Sequence, residues 1–251
     1  MIAVVAAWVV PMVRDTGTIT TAAARRQKVA LADGSTLELN AGTDARTDFR
    51  YGRRTVRLDR GEAFFSVAND PAHPFLVETS AGTVRVTGTQ FNVRLTADHR
   101  AEVTLLEGAI TVQPSAAASP LSAPGSRPSA SDPSTFTSQL STGPLNLTPG
   151  QQIRLPESAP VIRTLTAAQS ENVVAWRTGR LALDGLTLGE AAARFAAYHG
   201  RTIAVAPETA ALRLGGSCPL DDLPGFLDFL GEALPVRVLS RADGGFRILA
   251  K

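Results

Sequence analysis

One short pattern occurs four times in this sequence: an apolar residue, any residue, Leu, two further residues and Gly. The four copies end at Gly34, Gly61, Gly108 and Gly150, and a second run of alternating apolar residues follows each glycine. Alternation with period two places apolar side chains on one face of a β-strand, and the glycine between two runs provides a turn or a bulge. One such unit cannot bury its apolar face alone, so the four units must stack or pair. The pattern predicts a mainly β structure over residues 28–155.

The composition is that of an ordinary globular protein, with 44% hydrophobic and 19% charged residues and a formal net charge of +2. The basic residues are scattered, and this argues against a nucleic-acid partner. A single cysteine, Cys218, excludes an internal disulfide and a cysteine-based metal site. So few cysteines are compatible with an oxidising compartment.

The first thirteen residues are uncharged and almost all apolar, but a membrane-spanning helix needs roughly 20 residues. No basic segment precedes them, as it would in a signal peptide. Three interpretations stay open: a buried first strand, the end of a membrane helix that begins outside this sequence, or a wrongly assigned start. Pro11 disfavours a central strand. We therefore expect a truncated membrane helix over residues 1–13 and a juxtamembrane linker over residues 14–27.

A Pro- and Ser-rich segment, residues 114–144, interrupts the β pattern. Such a composition cannot bury enough apolar surface to offset the entropy lost on ordering, so we expect a disordered insertion. The fourth copy of the repeated pattern follows it directly. The insertion therefore lies within a β domain, which we place at residues 28–163, and a linker over residues 164–175 follows.

From residue 176 onward the pattern changes to alternating strands and helices. Apolar residues recur at helical spacing over residues 188–199 and 223–234. Thr187 and Glu190 have the spacing of a capping box, and Gly200 ends the first helix. The predicted strands are residues 180–183, 202–206, 212–215, 236–239 and 246–249. This order predicts a small α/β domain of two consecutive βαβ units over residues 176–251.

No group of residues has the spacing of a catalytic or metal site. His73, His99 and His199 lie in different predicted elements, and no local signature of a catalytic nucleophile is present. The glycines between residues 82 and 93 fit a β turn, because a phosphate-binding loop would need a following helix. We expect no catalytic residue, no cofactor and no bound metal.

Several segments resemble, in order, the motifs of the FecR family. They are residues 31–41 (LADGSTLELNA), 56–68 (VRLDRGEAFFSVA), 74–77 (PFLV), 88–93 (GTQFNV), 103–108 (VTLLEG) and 147–151 (LTPGQ). Residues 176–181 (WRTGRL) and the predicted βαβ units are similar to the C-terminal part of these regulators. That part resembles the secretin and TonB short N-terminal domain, abbreviated STN.

The resemblance implies a β-solenoid-like, stacked β domain followed by a small STN-like α/β domain. It also implies a non-enzymatic, anti-sigma-factor-type regulator. Such a protein relays the state of a TonB-dependent outer-membrane transporter, typically one for iron or siderophores, to an extracytoplasmic-function sigma factor. Its sensing part lies in the periplasm, anchored to the inner membrane by one N-terminal helix. The implied partner is the transporter's N-terminal signalling domain, and the sigma factor is contacted only through a cytoplasmic domain outside this sequence.

The partner surface is expected on the last hairpin, residues 236–249, because the last element of a small sheet tends to lie at its edge and can accept a partner strand. Its arginines would attract an acidic partner. The predicted contact residues are Arg237, Val238, Leu239, Arg241, Phe246, Arg247 and Ile248.

Two other classes of function stay open at this stage. A cell-envelope polysaccharide-binding β-solenoid would show an exposed aromatic ladder, whereas the chain has two Trp and two Tyr. A β-helical polysaccharide lyase or hydrolase would need clustered carboxylates or basic residues on one solenoid face.

Phe64 and Phe65 must face opposite ways in a strand. Phe65 shares parity with Val67 and is assigned to the core. Phe64 is expected to be less buried, unless neighbouring coils cover both faces of the strand.

Overall fold

The computed structural model describes residues 12–13, 16–96, 98, 100–115, 143–155, 160 and 162–251. Most of the predicted membrane segment, most of the Pro/Ser-rich insertion, and His99 lie outside the described residues. The described β strands of the first part are β1 (Met12–Val13), β2 (Thr16–Thr20), β3 (Gln27–Leu31), β4 (Thr36–Leu39), β5 (Asp44–Asp48), β6 (Arg54–Ser66), β7 (Phe75–Thr79), β8 (Gly82–Val86), β9 (Gln90–Leu95), β10 (Ala101–Glu107), β11 (Ile110–Pro114), β12 (Leu145–Leu147), β13 (Gln151–Leu155) and β14 (Ile162–Thr164).

These strands form one 14-stranded sheet, and the long strand β6 belongs to both of its halves. In one half the order is β1-β3-β4-β6-β9-β10-β13-β14, and in the other it is β2-β5-β6-β7-β8-β11-β12. Residues 54–60 of β6 pair in the second half and residues 61–66 in the first. The strand β2 lies in the segment that the sequence predicted to be a linker.

The inward faces of both halves enclose one hydrophobic core. Phe65 lies at its centre, stacked on Phe91 with ring centroids 4.8 Å apart and edge-on to Phe75 at 6.3 Å. The mainly β character predicted from the alternating runs is confirmed, and so is the assignment of Phe65 to the core.

The four repeated glycines all have positive φ, between 79° and 91°, a conformation that favours glycine. Gly34 forms the turn of the β3–β4 hairpin. Gly61, Gly108 and Gly150 instead mark points where the chain passes from one half of the sheet to the other. The predicted turn or bend is confirmed at Gly34, Gly108 and Gly150, whereas Gly61 lies inside the continuous strand β6.

The stacked coils expected from a solenoid are not the arrangement of the described strands. Apart from β1–β3 and β6–β7, the neighbouring strands of this sheet are antiparallel, and the core lies between its two halves. The physical reason is that alternation specifies which face of a strand is buried, whereas pairing is decided by contacts distant in sequence.

The second part of the chain is α/β. Its elements are α1 (Ala167–Val174), β15 (Arg180–Ala182), α2 (Leu188–His199), β16 (Ile203–Val205), α3 (Pro207–Ala210), β17 (Ser217–Pro219), α4 (Leu223–Ala233), β18 (Val236–Ser240) and β19 (Phe246–Ala250). The capping box of Thr187 and Glu190 is present, and Gly200 ends α2 in the left-handed conformation. None of the helices among the described residues is long and apolar enough to cross a membrane.

The strands of this small domain, residues 176–251, pair differently from two consecutive βαβ units. A βαβ unit places the strands before and after its helix side by side, but β15 pairs with β17 and β16 pairs with β19. The predicted strand at 212–215 contributes only an isolated bridge, between Thr187 and Arg213. The helices could be predicted because their apolar residues recur at helical spacing. The strand pairings could not be predicted, because a strand of three residues carries too little pattern to specify its partner.

Candidate functional site

The predicted partner hairpin consists of β18 and β19, which pair antiparallel over five residues. They belong to a three-stranded sheet in the order β16-β19-β18, with β16 parallel to β19. Within the described part of the chain β18 is therefore an edge strand, whereas β19 lies at the centre. An edge strand presents backbone groups that can pair with a further strand.

The two faces of this hairpin differ in character. Val236 and Ile248 are fully buried against the helices of the small domain. On the opposite face Leu239 is 45% exposed and lies across from Arg247, while Arg237 lies across from Leu249. On the outward face, arginine and leucine therefore alternate along each strand and also lie opposite each other across the two strands.

The structure brings three of the seven predicted contact residues together on that outward face, namely Arg237, Leu239 and Arg247. The side chains of Val238, Phe246 and Ile248 pack toward the core of the small domain. Arg241 lies just after β18 and forms an ion pair with Asp243 at 3.2 Å. Because successive side chains of a strand face opposite ways, the three outward residues could have been distinguished from the three inward residues in the sequence.

A second arrangement, the junction between the two domains, was not predicted. The hydrophobic core of the small domain includes Phe64 of β6, and Phe64 is only 2% exposed. The expectation that Phe64 is less buried is therefore wrong, because the small domain, and not a neighbouring coil, covers the second face of β6.

Arg177 holds this junction from the small domain. Its guanidinium carbon lies 3.8 Å from the centroid of the Phe64 ring, and its Nε and Nη2 donate to the two carboxylate oxygens of Glu38 at 3.0 and 2.8 Å. These hydrogen bonds lower the pKa of Glu38 below its ordinary value. Arg26 donates to the backbone carbonyls of Trp176 and Arg177 at 2.8 and 2.7 Å.

A series of hydrogen bonds between polar side chains also joins the two domains at this junction. Nε1 of Trp176 donates to Oδ1 of Asn92 at 3.2 Å, and Nδ2 of Asn92 donates to Glu62 at 2.9 Å. The other carboxylate oxygen of Glu62 accepts from Nδ2 of Asn40 at 3.0 Å. No sequence pattern indicates these hydrogen bonds, because Asn92 lies between Phe91 and Val93 and alternation alone would place it on the solvent side.

A cavity of about 430 Å³ lies beside these hydrogen-bonded side chains, between the β domain and α2. Its polar wall includes Glu102, which accepts from Arg94 at 3.2 Å and forms an ion pair with Arg154, whose Nε lies 2.9 Å from the carboxylate. Arg194 of α2 also lines the cavity. Burial, together with the nearby charge of Arg94, lowers the pKa of Arg194 to about 10, so its side chain remains charged at neutral pH.

The surroundings of the described histidines and of the cysteine fit a role in stabilising the fold. His73 pairs with Asp70 at 3.0 Å, and Nε2 of His199 donates to the carbonyl of Leu220 at 2.8 Å. Burial raises the pKa of the Cys218 thiol to about 11 despite the nearby charge of Arg180. Among the described residues, no group of three or more His, Cys, Asp or Glu could hold a metal ion.

Comparisons with known proteins fit this architecture. Residues 17–111 match the model of the family described as FecR protein. Two crystal structures of a proposed anti-sigma factor from Parabacteroides distasonis ATCC 8503, at 1.65 and 2.50 Å resolution, match with TM-scores of 0.73 and 0.72 and sequence identities of 21% and 20%. Each match covers 94% of this chain and 99% of the other, so the likeness extends to the fold of both domains. No curated protein sequence matches the chain.

Proposed function

We propose that this chain, in which residues 17–111 form a FecR domain, is a regulator of the anti-sigma-factor type. Two findings support the proposal. The FecR family model matches the β domain, and the fold of 94% of the chain is shared with structures described as a proposed anti-sigma factor.

In the detailed form of this proposal the protein is a non-enzymatic relay. It senses the state of a TonB-dependent outer-membrane transporter by contacting the transporter's N-terminal signalling domain. It lies in the periplasm, anchored to the inner membrane by an N-terminal helix, and reaches its extracytoplasmic-function sigma factor through a cytoplasmic domain outside this sequence. The motif segments that resemble the FecR family support this form.

The observation that carries the proposed contact is the outward face of the last hairpin. Leu239 is a large apolar side chain that is 45% exposed, and Arg237 and Arg247 lie beside it on the same face. Apolar surface supplies binding free energy, whereas flanking positive charge selects a partner with acidic residues and speeds its association. The edge strand β18 offers backbone groups for strand addition.

The test is a calorimetric titration of this chain with the N-terminal signalling domains of the TonB-dependent transporters of its own organism. The double variant Arg237→Glu and Arg247→Glu should bind roughly tenfold more weakly and should show a smaller dependence on salt. The matched control is the double variant Arg53→Glu and Arg163→Glu, which changes net charge equally at exposed arginines of the β domain.

Two results would count against the proposal. Equal affinity of the wild type and the folded Arg237/Arg247 variant would move the contact away from this hairpin. The absence of any binding by the wild type would contradict the relay itself.

A further inference from the structure

The cavity between the two domains combines an apolar wall with a few charged side chains. Its apolar lining includes Leu95 from the β domain, Val173 from α1 and Leu220 from the small domain. Its volume of about 430 Å³ lies within the range typical of small-molecule sites, roughly 300–1,000 Å³. A molecule bound here would touch both domains at once.

The carboxylates of the cavity wall are already engaged by donors from the protein. Glu62 accepts from Asn40 and Asn92. Glu102 accepts from Arg94 and forms an ion pair with Arg154. The Glu190 carboxylate caps the first turn of α2 by accepting from the backbone N–H and the hydroxyl of Thr187 at 2.9 and 3.1 Å. The negative charge of each of these acids is therefore already compensated by donors or cations of the protein.

Arg154 and Arg194 both have a buried Nε without a hydrogen-bond partner among the described residues. Arg154 forms an ion pair with Glu102, whereas no ion pair with a described residue is formed by Arg194. Each of the three glutamates adds a favourable but more distant charge to Arg194. A buried donor on a charged group that lacks an acceptor is unfavourable by several kcal/mol. The unmet requirement of the cavity is therefore a hydrogen-bond acceptor, preferably a negatively charged one.

We infer that this cavity is a binding site for a small amphiphilic carboxylic acid. The carboxylate accepts from Arg194, and the apolar body of the acid lies against Leu95, Val173 and Leu220. The negative charge also offsets the repulsion between Arg194 and Arg94. Because the site is built from both domains, the bound acid stabilises their docked arrangement, as does any ligand that binds only the assembled state.

The test uses 3-phenylpropionate as the probe and its neutral amide, 3-phenylpropionamide, as the matched control. Calorimetric titration of the full chain should show binding of the acid and an affinity for the amide that is roughly tenfold lower. The acid should also raise the midpoint of thermal unfolding. Arg194→Gln should weaken binding of the acid roughly tenfold, whereas Arg163→Gln, at an exposed arginine away from the cavity, should leave it unchanged.

A second variant keeps the test decisive if Arg194→Gln does not fold. Ala193→Trp adds bulk at the cavity wall and keeps Arg194, so it should abolish binding without removing the charge. Unchanged affinity in folded Arg194→Gln, or binding that survives in folded Ala193→Trp, would overturn the inference by placing the acid elsewhere. No binding of 3-phenylpropionate or of hexanoate by the wild type at about 10 mM, which corresponds to less than roughly 3 kcal/mol of binding free energy, would also overturn it.

Discussion

Phe64 and Phe65 are adjacent in β6 but lie in two different hydrophobic cores. Phe65 stacks on Phe91 inside the β domain, whereas Phe64 lies beneath the guanidinium of Arg177 in the core of the small domain. Successive residues of a strand point to opposite faces, and here both faces are covered. One strand therefore links the stability of the β domain to the docking of its neighbour.

Replacing each phenylalanine should separate these two roles. Phe65→Ala should lower the free energy of unfolding of the β domain by about 3–5 kcal/mol, the range for loss of a buried aromatic ring. Phe64→Ala should release the small domain first, because its side chain contributes to that core. The measurement is urea unfolding followed by tryptophan fluorescence, which reports on Trp176 at the junction, and by far-ultraviolet circular dichroism.

In Phe64→Ala the fluorescence transition should precede the dichroism transition. In Phe65→Ala the two should move together. Coincident transitions in both variants would contradict separate roles for the two side chains.

The ion pair between Glu38 and Arg177 should make domain docking depend on pH. Hydrogen bonds from Arg177 lower the pKa of Glu38 from its ordinary value of 4.5. A carboxylate with a depressed pKa contributes stability that is present above its unfolded-state pKa and is lost as the pH falls through its folded-state pKa. Glu38→Gln should therefore lower the free energy of unfolding by about 1–3 kcal/mol at neutral pH, the usual effect of leaving a charged donor without its partner.

The difference between wild type and Glu38→Gln should shrink as the pH falls below 4.5, because the protonated acid then resembles the amide. Unfolding measured across this range checks it. Glu171→Gln, at an exposed position of α1, is the control and should follow the wild type at every pH. A constant difference between wild type and Glu38→Gln would show that this carboxylate contributes by its shape and not by its charge.

Two glycines should respond in opposite ways to replacement by alanine. Gly61 has a φ of +89°, and an added Cβ would lie 2.6 Å from Cα of Thr43, so Gly61→Ala should destabilise the β domain by more than about 2 kcal/mol. Gly231 lies inside α4 with nothing within 4 Å of an added Cβ. Gly231→Ala should therefore stabilise the protein by about 0.5–1 kcal/mol.

Thermal unfolding of the two variants checks this contrast. Equal effects would mean that a small shift of Thr43 makes room for the alanine side chain at position 61. The backbone would then not require glycine where β6 passes between the halves of the sheet.

The features that could be predicted from the sequence are those that depend on a single element. Alternation assigned Phe65 to a core, and helical spacing with a capping box predicted α2, because each signal is local. The pairing of β10 with β13 could not be predicted, since it joins segments far apart in the chain. Asn92 and Phe64 would each be assigned to solvent from their strand alone, and only the docked small domain makes them buried.

The two candidate sites differ in the same respect, because the hairpin is local in sequence and the cavity is not. The hairpin was identified from its position and its arginines, and its outward face follows from alternation. The cavity beside Arg194 combines residues from β6, β10 and α2, so no sequence pattern could indicate it.

The Pro/Ser-rich insertion should be replaceable because its attachment points lie close together. The strands β11 and β12 on either side of it are antiparallel neighbours, with Val112 opposite Leu145. Replacing residues 116–142 by a Gly/Ser linker of about ten residues should change the free energy of unfolding by no more than about 1 kcal/mol, since loop-closure entropy varies slowly with length. Chemical unfolding measures this change, with a Gly/Ser segment of the original length as the control. Loss of cooperative unfolding in the short-linker variant alone would show that the β11–β12 pair needs the length of the natural connection, and loss in both variants that it needs the natural sequence.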